Sequence, residues 1–268
     1  MTIEGPDRGW TSPLIIGCYA AAAVAAIAVT MVERRRREPL IDPRFFASAP
    51  FSGAALIAVA AFGALAGFLF LNTLYLQDAR GYSAIEAGLL ILPMAASTVV
   101  TARLSGRLVA SGHVRWALVI AGLALAAGSA VLITVSATAP IAELIVVYVV
   151  FGLGFGFVNP PISNTAVSGM PPAQAGVAAS IASTCRQVGA TLGVAVIGSM
   201  VAGHALARFV TASHGGWAVI CGCGLAVLLL GVASTSGWAR VTAQRTRELL
   251  IVEPEEGAVH DRDSAAVS

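Results

Sequence analysis

The chain holds few residues that could do chemistry. Its fourteen Asp and Glu lie near the termini, in polar stretches or at the edges of apolar runs, so no carboxylate stands in the middle of an apolar run. All sixteen basic residues are Arg and none is Lys, which removes the amine that a Schiff base needs. One cation, Arg186, stands inside apolar sequence with Gln187 beside it. It needs a partner, a water-filled cleft or an interface to which it can snorkel. Asn72, Tyr75 and Gln77 bring hydrogen-bonding groups to the end of a second apolar run, and Asn159 closes a third. These six residues are the candidates for contact with a small molecule. His204 is a further titratable group near the end of an apolar run, where an interfacial place is expected. Cys18, Cys185, Cys221 and Cys223 fall in apolar runs without metal-ligand spacing, so they read as small buried apolar residues. No metal and no cofactor is expected. With no nucleophile–base arrangement and no cluster of His or carboxylates, the residues speak against an enzyme.

The elements that position these groups are set by composition. At 57% hydrophobic and 11% charged residues, with mean hydropathy +0.83, the chain exposes too much apolar surface for a soluble domain. It reads as an all-α polytopic membrane protein. A net charge of +2 is too small to suggest nucleic acid, and the lipid bilayer is the first partner. A helix needs roughly 20 apolar residues to cross the hydrocarbon. Seven candidates follow: Leu14–Val32, Phe51–Leu76, Ala87–Leu108, Trp116–Val135, Ile141–Val158, Val188–Ala207 and Trp217–Trp238. The sixth has an alternative start at Val177, which would carry Arg186 some 14 Å into the span at ~1.5 Å per residue. The start at Val188 is preferred, with Arg186 snorkelling at the cytoplasmic face in a structural role.

Basic residues in short loops stay in the cytoplasm. The run Arg34–Arg37, the group Arg103, Arg107 and Arg115, and the group Arg240, Arg245 and Arg247 therefore belong inside. The amino terminus, residues 1–13, then lies outside and has no basic region of a cleaved signal. Residues 33–50 form a cytoplasmic connector, Arg208–Gly216 an outer loop, and residues 239–268 a polar, disordered cytoplasmic tail.

Glycine and proline mark the packing. Gly152, Gly154 and Gly156 let a neighbouring helix come close, and Gly189 and Gly193 do the same in the sixth span. Pro160 and Pro161 remove two amide donors and are expected to end the fifth span there. Without the first span six remain, residues 51–238, and these divide as three plus three. Because an odd number of spans inverts orientation, the triplets would be inverted repeats.

The order of a Gly-rich helix, a Pro pair, a short loop with a second Pro pair and then AGVAASIASTCRQVGATLGVAVIG resembles the carboxyl-terminal half of fourteen-span drug:proton antiporters of the major facilitator superfamily, EmrB/QacA type. The resemblance implies a linker helix followed by a six-helix bundle that forms one half of an exporter with alternating access. It places the YLQ segment at Tyr75–Gln77 on a helix lining the outer vestibule. LSGRLVASGHVR, with Gly106, Gly112 and Arg115, is similar to the second copy of the superfamily's cytoplasmic loop motif, although Ala110 and Ser111 stand where an acid and a base are expected. It also implies a bacterial plasma membrane, a hydrophobic or cationic substrate, and a partner that is either a separate amino-terminal half or a second copy. With no carboxylate in mid-span, proton coupling would come from that other half. A receptor-like or scaffold membrane protein is the alternative reading.

Overall fold

The computed structural model describes residues 17, 20, 21, 24, 27, 28 and 31, then 47–136, 138–167, 174–202, 206–239 and 241–246. Most of the span expected at Leu14–Val32, the connector up to residue 46, His204 and most of the tail lie outside the described residues. Six helices follow: α1 (Ala49–Leu74), α2 (Ala84–Ala110), α3 (Val114–Leu132), α4 (Ile141–Val167), α5 (Ala175–Val201) and α6 (Leu206–Ser234). Helix α1 is extended by a wider turn, Tyr75–Ala79. All six are long and apolar enough to cross a membrane, and no strand occurs among the described residues. The polytopic all-α fold expected from composition is the one found.

The helices pack as two interlocked triplets. Helix α1 lies along α5 as α4 lies along α2, while α3 meets α4 as α6 meets α1. Helices α3 and α6 pair with each other, as do α1 and α4. Exchanging α1–α3 for α4–α6 maps this pattern onto itself, which is what a two-fold relation between three-helix repeats requires. Lipid is as apolar as leucine, so the helices are held by close approach and by hydrogen bonds rather than by hydrophobic burial. Glycine supplies the approach. A β-carbon on Gly193 would overlap the Gly63 carbonyl, and one on Gly189 would overlap the Val59 backbone, both between α5 and α1. In the exchanged seam Gly152 and Gly156 of α4 press on Met94, Ser97, Thr98 and Thr101 of α2. Gly154 faces Ala121 and Leu125 of α3.

Three helix bounds differ by two turns or more from those read off the sequence. The Pro pair does not end the fifth span: α4 continues through Pro160 and Pro161 to Val167. Proline at 161 leaves the Phe157 carbonyl without its helical N–H. The Ser105 hydroxyl of α2 donates to that carbonyl at 2.8 Å and replaces it. Further along the same seam Thr98 donates to Gly152 O at 3.0 Å and Ser97 to Val149 O at 3.1 Å. We expect Ser105→Ala to cost about 1–2 kcal/mol, the usual penalty for leaving a buried acceptor unpaired. Unfolding in mixed micelles measures it, and the cost should shrink in a Pro161→Ala background, where an N–H is restored to the helix.

The sixth span starts at Ala175, not at Val188. Its first three turns look too polar to span, yet Ser180 donates to Val177 O and Thr184 to Ser180 O, so these hydroxyls are satisfied inside their own helix. Arg208–Gly216 is likewise not a loop, because α6 runs through it from Leu206. Its His214 Nε2 lies 3.4 Å from Val135 O beyond the end of α3.

Candidate functional site

Arg186 of α5 meets Ser163 of α4 and Phe62 of α1 where the three helices converge. Arg186 lies eleven residues beyond Ala175, about 16 Å along α5 at 1.5 Å per residue. The preferred start at Val188, which left Arg186 outside the helix, therefore gives way to one that places Arg186 about three turns within it. The guanidinium donates from Nη2 to Ser163 Oγ at 2.7 Å, and its central carbon stands 5.6 Å from the centre of the Phe62 ring, a cation–π contact. The Phe62 ring meets Phe155 edge-on at 5.2 Å. Arg186 Nε is enclosed and has no hydrogen-bond partner. Asn159 sits one turn before Ser163 on α4, partly exposed, with its amide 3.5 Å from Phe155 O.

Beside Arg186, α5 shows two different exposed faces. Ser180, Ser183, Thr184, Gln187 and Thr191 recur at three- and four-residue steps and are all exposed, so they form one polar strip. Val188, Leu192 and Val196 form the adjoining exposed face, and it is apolar. Acyl chains suit the second face and not the first. A polar strip along a membrane helix marks a surface turned to water or to protein. Outward from Phe62, Ala66, Leu69, Phe70, Thr73 and Leu74 of α1 and Val194 of α5 line an open apolar groove of about 430 Å³.

The other candidates are divided between interior and surface. Asn72 and Tyr75, expected in contact with a small molecule, are each only 1% exposed and do not reach an open face. Tyr148 donates to the Asn72 amide oxygen, and Tyr75 donates to Ser136 O at 2.6 Å. Both side chains tie α1 to its neighbours. Arg80, just past the wide turn, donates to Ala139 O at 2.7 Å and lies near the Tyr75 and Tyr82 rings. Gln77 is half-buried in the wide turn. Gly106 is open-sided within α2, Arg115 is exposed, and Gly112 adopts φ +82°, the left-handed conformation that closes a helix end. The Ser–Thr ladder on α2 was missed, although SxxxTxxxS at Ser97, Thr101 and Ser105 carries the small-polar spacing of a helix seam.

Comparison with known proteins identifies the scaffold. The family model for the Major Facilitator Superfamily matches residues 7–194. The chain belongs to this superfamily. Its relatives include the methylenomycin A resistance protein of Streptomyces coelicolor, 31% identical over 91% of this chain and 50% of that protein. Others are the multidrug resistance protein Stp of Mycobacterium tuberculosis and the tetracenomycin C resistance and export protein of Streptomyces glaucescens. Each of these two is 34% identical over 75% of this chain and 37% of its own length. This major facilitator chain thus spans half or less of the relatives named. They are transport and resistance proteins rather than enzymes, and the superfamily is one of multi-pass membrane proteins.

Proposed function

We propose that this chain forms the carboxyl-terminal half of a fourteen-span drug:proton antiporter of EmrB/QacA type, exporting bulky hydrophobic or cationic compounds. The observation that carries the reading is the polar strip of α5 beside Arg186. On a helix whose adjoining exposed face is apolar, it supplies one wall of a water-filled path whose other wall a second six-helix half would complete. The resistance and export names of the relatives, and their greater length, support the same reading. In this arrangement the amino terminus lies outside and the tail in the cytoplasm, and the proton-carrying group belongs to the other half.

The test is export itself. In an efflux-deficient bacterium the chain alone should leave dye retention unchanged, whereas the chain joined to an amino-terminal half should give efflux that a protonophore abolishes. In the joined transporter Gln187→Leu, which makes the strip more lipid-like, should cut efflux at least about fivefold, the scale of one lost polar contact. Uphill export by the purified chain alone, in vesicles under a pH gradient, would overturn the reading.

A further inference from the structure

Among the described residues Arg186 meets a hydroxyl and a ring but no carboxylate. Between Ala87 and Arg247 the sequence contains a single acid, Glu143. It stands in the first turn of α4, twenty residues from Ser163 and so about 30 Å away along that helix. The guanidinium holds one hydroxyl and one ring, and its enclosed Nε bonds nothing. A cation so placed is unfavourable until an anion joins it, and a planar guanidinium is built to take a carboxylate through two parallel N–H donors. A single guanidinium balances one negative charge. A phosphate dianion would import a second, unbalanced one.

An apolar groove lies farther along the same two helices. Phe62, Ala66, Phe70 and Thr73 fall on one face of α1, and Val194 lies two turns beyond Arg186 on α5. Val59 meets Gly189 and Gly63 meets Gly193, so the two helices run in the same direction and the groove lies on the carboxyl-terminal side of Phe62 and Arg186 along them. From Phe62 to Thr73 is about 16 Å of helix.

We propose that this cleft binds an amphipathic acid, with its carboxylate on Arg186 and Ser163 and its apolar body along the Ala66–Leu69–Phe70–Thr73 groove. The substrates then extend to anions, beyond the hydrophobic and cationic compounds proposed above. The proposal rests on the reading of this face as substrate path. Its test measures binding rather than transport, so either can fail without the other.

The probe is dansyl-undecanoic acid, titrated against the full chain in phosphatidylcholine nanodiscs, with its methyl ester as the uncharged counterpart and empty nanodiscs as background. The acid should bind saturably, and Arg186→Gln should weaken it at least about tenfold, as expected for a hydrogen-bonded charge. Arg186→Lys, which keeps the charge and loses the fork, should fall in between. The ester should bind wild type and Arg186→Gln alike, which also shows that the variant is folded. Ala66→Trp, which fills the groove, should weaken acid and ester together. Equal binding of acid and ester by wild type, or an Arg186→Gln affinity for the acid that matches wild type, would overturn the carboxylate site. Undiminished binding in Ala66→Trp would overturn the groove.

Discussion

Phe68→Ala should destabilise the bundle by about 3–5 kcal/mol, the range for truncating a fully buried aromatic ring. The Phe68 ring is 0% exposed and is the hub of an aromatic cluster from three helices. It stacks on Phe151 of α4 at 4.2 Å and meets Tyr148 and Trp217 edge-on, each at 5.6 Å. Within a bilayer the transfer part of this loss is small, because lipid is no more polar than the core. What disappears is dispersion with three rings, which a void cannot return. The effect should therefore sit near the lower end of the range and be smaller for Phe68→Leu, which refills part of the space. Reversible unfolding in mixed micelles distinguishes the two variants.

Gly193→Val should cost as much by the opposite route. The added β-carbon would overlap the Gly63 carbonyl and lie 2.8 Å from its Cα, so backbone rather than a pliable side chain is in the way. Helices α1 and α5 would have to separate along their whole seam. Overpacking a dense core costs about 1–3 kcal/mol where side chains can yield, and a backbone obstacle pushes the cost to the top of that range or past it. Gly222→Val is the control: nothing lies within 4 Å of a β-carbon built there, and stability should stay at the wild-type value. Equal losses for the two variants would mean that helix propensity, not the seam, sets the effect.

How much of this could be read from residues alone depended on distance along the chain. Long apolar runs such as Phe51–Leu76 declared their helices, because a span is a local property of hydropathy. The Gly152, Gly154 and Gly156 cluster declared close packing but not its partner, which lies on α2 and α3. Pro160 and Pro161 read as a terminus because the donor that lets the helix continue, Ser105, is 52 positions away. Ser180 and Thr184 lowered the apparent hydropathy of the α5 start, and their bonds to their own backbone carry no sequence mark. Misplacing that start moved Arg186 to the membrane surface. Asn72 and Tyr75 looked available for ligand because an amide or a phenol announces only that it needs partners. Tyr148 reaches the Asn72 oxygen and Ser136 the Tyr75 hydroxyl from 76 and 61 positions away, while Asn72 Nδ2 has no partner among the described residues.

The two prolines in α4 also bear on motion. Residues 160 and 161 send no N–H back up the helix, so the turns after Asn159 hang from those before it by fewer rungs, and flexing there is cheap. Ser163, the side chain that grips Arg186, rides on the loosened end, while the Ser105 clasp at Phe157 fixes the stationary one. Tilting that short end would open or shut the grip without disturbing the glycine-packed shaft above it.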